Sequence, residues 1–395
     1  MKIILHIGPP KTGTTAIQGA LMQNRRALLE AGALYFVDPV ETAWALPMIY
    51  HREDEMLPAL RAHFWSIKEA QAWSTRAWTA LENQINRLKP HTLILSSEHF
   101  ASMQLRVPAM LEHLRTFSND IDVVAYVRDP ASLYCSYVDQ QLRGGTRLNN
   151  LPSPWDYKYP PVGRVKRYLD AVGPDRMHVQ AFDRKHLHGG DIVADFVHVL
   201  NGKLGLGLPQ LQVGGSPNTA LSGAAAAMLA VMNETYVRHR KDGKDQDLVK
   251  HRSAFIKRLR QSQTLGGLPR LALPNDALKS VIRHNARTQL GWFNDTFFGG
   301  RPVMDVGAAP AAPAPKKPEQ GAFMRDWILG YLDGEASRLA AQEIVTAVTP
   351  QSAPAPAGQR KGQAAGQKAG QKPGQKKGPK AGPQTDPRTD PRTGG

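Results

Sequence analysis

The chain has 395 residues, 41% of them hydrophobic, which is enough for one large α/β core with appendages. Its formal charge of +16 is unevenly spread: residues 351–395 carry nine basic against two acidic side chains, a net +7, and the other +9 is dispersed. The single cysteine, Cys135, excludes an internal disulfide framework and fits a reducing compartment, and the short first apolar stretch runs into Gly8-Pro9-Pro10-Lys11, which reads as neither a secretory signal nor a membrane span.

Ile3, Ile4, Leu5 and Ile7 predict a short buried strand, and Ala16, Ile17, Ala20 and Leu21 recur with the spacing of one helical face. Between them, residues 6–18 read HIGPPKTGTTAIQ, a tight loop feeding a helix. Gly8 and Gly13 let backbone approach an anion, helix-start N–H groups attract negative charge, and Thr12, Thr14 and Thr15 add hydroxyl donors. The two glycines have the separation of a Walker A loop, but Lys11 precedes the second glycine instead of following it, which weakens an ATPase reading.

Residues 41–90 read as helical and contain Trp44, Trp65, Trp73 and Trp78, for which core packing is the first expectation and stacking on a sugar ring the second. Thr92–Ser96 predicts a strand that empties into Ser97, Glu98 and His99, and ligands of open α/β sheets collect at such strand ends. Glu98 is the candidate general base and His99 its rival, because adjacent residues leaving a strand point to opposite sides unless the chain turns. A carboxylate needs burial or a neighbouring like charge to act as a base near neutral pH. The next strand ends at Arg128, after which Asp129 suits an N-cap and Pro130 the first helical turn. Ser136 follows Arg128 by eight positions, about two helical turns, so the pair can converge on one phosphate. Cys135, inside that helix, reads as a small packing residue.

The order P-K-T-G-T-T and the pair Arg128 and Ser136 resemble the PAPS-dependent sulfotransferase family, in its bacterial, carbohydrate-type form. PAPS is 3'-phosphoadenosine 5'-phosphosulfate, a sulfuryl donor. The resemblance implies a P-loop NTPase-like sulfotransferase fold: an α/β three-layer sandwich around a central, mostly parallel sheet. It also implies that Lys11, Thr12, Gly13, Thr14 and Thr15 hold the 5'-phosphosulfate, with Lys11 at the oxygen bridging phosphate and sulfate. Arg128 and Ser136 would hold the 3'-phosphate. Carbohydrate-acting members use a Glu near the place of Glu98, and many small-phenol members a His. The acceptor implied is a hydroxyl on a carbohydrate or glycolipid. The R-K-G signature of phenol-type members is not found within residues 1–302; the tripeptide Arg360-Lys361-Gly362 lies in the tail. No metal is implied: there is no Cys pair, H-E-x-x-H helix or run of spaced Asp, and His186, His188 and His198 read as solvated or core residues.

Further along, Trp155, Tyr157 and Tyr159 in LPSPWDYKYPP are candidates for acceptor contact, since loops carry specificity. Met177–Ala181 predicts a strand, followed by a Phe182-Asp183-Arg184 turn and a helix from Asp191 to Leu200; Ser216–Ser222 then leads into another helix. Arg238–Arg260 is a basic run, read as a solvated face or a groove for an acidic acceptor. The division expected is a sulfotransferase domain at 1–302, an Ala/Pro-rich linker at 303–320, an amphipathic helical segment at 321–349 and a disordered basic Gly/Gln/Lys-rich tail at 350–395. Two rival readings stand beside this one. One is a P-loop kinase using ATP and Mg2+; the other is a polyanion-binding protein acting through its tail, which lacks aromatics for base stacking and any motif for sequence-specific nucleic acid. Localisation is expected to be cytoplasmic, with the tail able to touch an anionic inner-membrane surface.

Overall fold

The computed structural model describes residues 1–37, 43–51, 64, 66–212, 221–235, 246–307, 317–319, 321–335, 338–339 and 342, with only the backbone at 235 and 246–251. Five strands, β1 (Lys2–His6), β2 (Ala33–Tyr35), β3 (Thr92–Ser96), β4 (Ile121–Val127) and β5 (Met177–Ala181), form one sheet in the order β2-β3-β1-β4-β5. Every pairing is parallel, so the expected mostly parallel sheet is wholly parallel. Ile3 lies beside Leu93 and Ile121, and His6 beside Ser96 and Val124.

Alternation along the strands divides the core. Ile3, Leu5, Leu93, Leu95, Val123 and Ala125 enter one apolar cluster, whereas Ile4, Ile94, Val124 and Tyr126 enter a second. Both faces are therefore covered, as a parallel sheet requires, and the strands read as continuous apolar runs instead of alternating ones. The helices are α1 (Thr14–Gln23), α2 (Arg25–Glu30), α3 (Ile67–Leu88), α4 (Val107–Arg115), α5 (Pro130–Arg143), α6 (Pro161–Val172) and α7 (Ile192–His198). They are followed by α8 (Gly223–Thr235), α9 (Gln246–Gln261), α10 (Gln263–Gly266), α11 (Asp276–Asn285), α12 (Arg287–Phe297) and α13 (Ala322–Leu329). Ile17 and Leu21 of α1 and Val193 and Phe196 of α7 cover the second face; Trp78 of α3, Leu111 of α4, Tyr168 of α6 and Phe293 of α12 cover the first.

A further cluster joins α5, α8, α11 and α13 beside the sheet. Tyr134 of α5 stacks on Trp327 of α13 at 5.8 Å, and Trp327 Nε1 donates to the Ala272 carbonyl at 2.7 Å. Of the helical segment expected at 321–349, α13 occupies Ala322–Leu329 with Gly330 as its C-cap, and helical residues recur at 334–335, 338–339 and 342. The helix expected to Leu200 leaves α geometry at His198 and continues as a π turn over Val199–Lys203. Residues 308–316 of the expected linker, 343–349 of the helical segment and the whole tail at 350–395 lie outside the described residues, as do Trp65 and Ser216–Ala220. Among the described residues no helix is long and apolar enough to cross a membrane.

One polar cluster pins the sheet at the opposite end from its loops. Asp122 is buried and accepts from Lys2 Nζ at 2.7 Å, Arg176 Nη1 at 3.0 Å and His178 Nε2 at 2.7 Å, tying β1, β4 and β5 together.

Candidate functional site

The order of strand addition reverses between β1 and β4: β2 and β3 lie on one side of β1, and β4 and β5 on the other. The crevice at the carboxyl ends of these two strands is a topological switch point, where open α/β sheets bind ligands. Residues 7–13 leave β1 and residues 128–129 leave β4, so the two turns singled out by sequence flank that crevice.

The first turn is shaped for close approach. Gly8 has φ +32, and a Cβ there would lie 2.5 Å from Thr14 Oγ1; Gly13 has φ +83, and a Cβ there would lie 2.8 Å from Ile192 Cγ1. Lys11 is held at φ 68, a left-handed conformation that costs a side-chain-bearing residue about 1 kcal/mol or more and collects at functional sites. Thr12 Oγ1 donates to the Pro9 carbonyl at 2.6 Å, closing the loop on itself. Gly13 caps α1 without a side-chain acceptor, its carbonyl accepting from Ala16 N at 2.9 Å, and the first turn of α1 has no acidic residue, so no side chain compensates the helix dipole facing the loop. Thr14 Oγ1 is buried without a hydrogen-bond partner, whereas Thr15 is exposed.

The second turn meets the first through Arg128. Its Nε donates to Ser132 Oγ at 2.8 Å, and its Nη1 donates to Ser136 Oγ at 3.0 Å and to the Lys11 carbonyl at 3.1 Å. Asp129 caps α5 by accepting from Ser132 N at 2.8 Å and is itself bound by Arg283 Nε at 2.6 Å. Phe182, in the turn after β5, lies under the guanidinium at 5.5 Å, and Tyr159 Oη donates to the Arg128 carbonyl at 2.7 Å. Ser132, Phe182 and Tyr159 thus support Arg128 without having been assigned that part; the i+4 spacing from Arg128 to Ser132 was the signal for the first. Burial lowers the pKa of Arg128, and burial followed by the field of Arg143 lowers that of Lys11, with Asp139 and Glu98 opposing. Two cations share one partly desolvated place, and among the described residues neither makes an ion pair. An anion is the partner this chemistry suits.

A cavity of about 500 Å³ opens beside the first turn. Pro9, Pro10, Lys11 and Thr12 form one wall, and Leu133, Tyr137, Gln140 and Gln141 of α5 a second. The remaining wall runs from Pro152 to Arg164 and includes Asp156, Tyr157 and Lys158. Of the three aromatic candidates in that segment only Tyr157 lines the cavity. Trp155 packs edge-on to Phe323 at 5.3 Å, and Tyr159 is buried near Phe293. Nor do Trp44, Trp73 and Trp78 line it: Trp78 is core and donates to the Leu46 carbonyl at 2.8 Å, and Trp44 stands 5.4 Å from Trp73. Arg164 and Tyr137 were missed, since nothing local in sequence marks helical residues whose tips meet across three separate segments.

Glu98 and His99 begin a short 3-10 turn after β3, with Ser97 Oγ accepting from His99 N at 3.2 Å. Glu98 is exposed, so the burial that would strengthen it as a base is not provided by the protein alone; its field nevertheless reaches Lys11 and Arg164. His99 is half-buried against Trp44, and burial, with His51 adding to it, pushes its pKa down to about 3. That makes the imidazole neutral but feebly basic. Burial raises the Cys135 thiol to about 11, consistent with a packing residue. His188 and His198 are exposed and stack at 4.2 Å, and His186 is exposed; among the described residues no group of three or more His, Cys, Asp or Glu is arranged to hold a metal ion. In the basic run, Arg252 donates to the carbonyls of Leu142 and Arg143 at 2.8 and 2.7 Å, closing the end of α5; side chains from 238 to 251 lie outside the described residues.

Comparison with family models, with curated proteins and with solved structures yielded no match.

Proposed function

We propose that this chain is a sulfotransferase of the P-loop NTPase-like kind, moving a sulfuryl group from PAPS to a hydroxyl of a carbohydrate or glycolipid. The observation that carries the reading is the guanidinium of Arg128, which bonds Ser136 and the Lys11 carbonyl at once and so joins the two anion-binding turns across one crevice. The strand order β2-β3-β1-β4-β5, with the glycine-bearing turn after β1, is compatible with that fold. A donor with phosphate at both ends suits a site with two cationic centres, an orphaned Thr14 hydroxyl and a helix start that no side chain caps.

In the reaction the acceptor oxygen forms a bond to sulfur as the bond from sulfur to the 5'-phosphate oxygen breaks, its electron pair staying on that phosphate. Lys11 stabilises the growing charge on the leaving oxygen, and the acceptor's proton goes to Glu98. Orientation and charge stabilisation do most of the work, as in phosphoryl transfer. The cytoplasm, where a single unpaired cysteine is at home, is the compartment we propose, with the basic tail as an accessory tether to anionic surfaces.

The test is calorimetric titration with 3',5'-bisphosphoadenosine (PAP) and, separately, with ATP and Mg2+, followed by transfer of label from PAPS into a cell extract. PAP should bind and ATP should not compete at equal concentration. Lys11→Ala should slow label transfer by roughly 100-fold and Glu98→Gln by 100-fold or more. Binding of ATP with Mg2+ in preference to PAP would favour the kinase reading and sink ours. The tail reading is separated by deleting residues 350–395, which should weaken heparin retention while PAP binding persists.

A further inference from the structure

The cavity beside Lys11 combines two chemistries that a neutral acceptor would not use together. Its surface is largely apolar, with Leu133, Tyr137, Tyr157 and several prolines, and it is basic, with Lys11, Lys158 and Arg164. Among the described residues the one acidic side chain on the wall, Asp156, is already committed, accepting from Lys317 Nζ at 2.6 Å and from Ser153 Oγ at 2.6 Å. Lys11 is accounted for by the donor in the reading above. Arg164 is not accounted for by anything: it sits on α6, its Nε is fully buried without a hydrogen-bond partner, and it makes no ion pair among the described residues.

A partly desolvated guanidinium without an acceptor is costly, and such groups are retained where a ligand completes them. Burial lowers its pKa and the field of Arg167 adds to this, with the fields of Tyr157 and Glu98 opposing. Helix α6 holds it rigidly, since Val165 and Tyr168 on the same helix are fully buried in the first-face core. A volume near 500 Å³ admits a ligand about the size of a substituted monosaccharide or a disaccharide.

Resting on the sulfuryl-transfer reading, we infer that Arg164 is the specificity-determining residue for an acidic acceptor: a sugar ring bearing a carboxylate, received by the guanidinium, and an apolar substituent, received by the tyrosines and prolines. Tyr137 and Tyr157 offer ring faces, Arg164 fixes the acid by charge-assisted hydrogen bonds, and the sugar hydroxyl is thereby turned toward Lys11.

The full-length protein is titrated calorimetrically, with and without saturating PAP, against 4-nitrophenyl β-D-glucuronide and 4-nitrophenyl β-D-glucoside, which differ only at the carboxylate. The glucuronide should bind about tenfold tighter or more in the parent. Arg164→Gln should bring the two within about twofold while leaving PAP affinity unchanged, and Arg164→Lys, which keeps the charge without the fork, should retain part of the preference. Equal affinities in the parent, no binding of either glycoside, or an undiminished preference in Arg164→Gln overturns the inference; near-ultraviolet circular dichroism checks that each variant is folded. Failure of PAP to bind the parent sinks the donor assignment instead, and the glycoside titration without PAP still decides the case of Arg164.

Discussion

At Arg128 a single side chain braces two turns and, on the proposed function, also recognises a ligand, and these duties separate by experiment. Replacing it with Gln removes charge-assisted bonds each worth about 1.5 to 3 kcal/mol, so PAP affinity should fall roughly 10- to 100-fold. Affinity for adenosine 5'-phosphate, which lacks the 3'-phosphate, should change by less than about threefold on the same titration. An equal loss for both nucleotides would mean that Arg128 only holds the loop. Gly13 bears a different constraint. Its φ of +83 and the 2.8 Å approach of Ile192 Cγ1 leave no room for a methyl group, so Gly13→Ala should lower unfolding stability by about 1 to 3 kcal/mol in urea and weaken PAP binding as well. Residue by residue, the glycines, Lys11, Arg128 and Ser136 were legible in sequence because a strand-turn-helix with fixed spacing constrains them locally. Arg164 and Tyr137 were not, because the cavity they line exists only after three segments of chain come together.

The elements themselves divide along the same line. Strands β3 and β5 fall on the ranges read from sequence, since each is a short run of apolar or β-favouring residues between polar breaks. Strand β2, only Ala33–Tyr35, carried no such pattern: it is an edge strand whose pairing to β3 outweighs its weak local preference. Helix α13 was recognised by its amphipathic spacing, but spacing alone does not say which surface it covers. Met324 and Ile328 are fully buried, and Trp327 stacks on Tyr134 in the helix that carries Ser136. Trp327→Ala should therefore cost about 3 to 5 kcal/mol by chemical denaturation, as removal of a large core side chain does. A loss below about 1 kcal/mol would show α13 to be an attachment independent of the core.

Across the whole molecule, the Asp122 cluster at the amino ends of the strands contributes to acid stability. Burial alone would raise the pKa of Asp122, yet hydrogen bonds from His178 and Lys2 hold it down to about 2, against an ordinary 3.8. A carboxyl depressed on folding contributes its stability above the unfolded value and surrenders it as pH falls through the folded one. Up to about 2 kcal/mol is therefore expected to vanish between roughly pH 4 and pH 2. Thermal melts across that window should show the loss in the parent. In Asp122→Asn, less stable by about 2 kcal/mol already at pH 7, the same window should be nearly flat. PAP affinity at pH 7 should be the same for both, because the cluster lies at the amino ends of the strands, opposite the crevice at their carboxyl ends.

The bond from Arg128 to the Lys11 carbonyl spans 117 positions of chain, and it has a dynamic meaning. Neither turn can open without releasing the other, so their amide protons must exchange with solvent as one cooperative unit, not as two independent loops. On the reading proposed above, a nucleotide arriving at either end would meet a receptor already set at both.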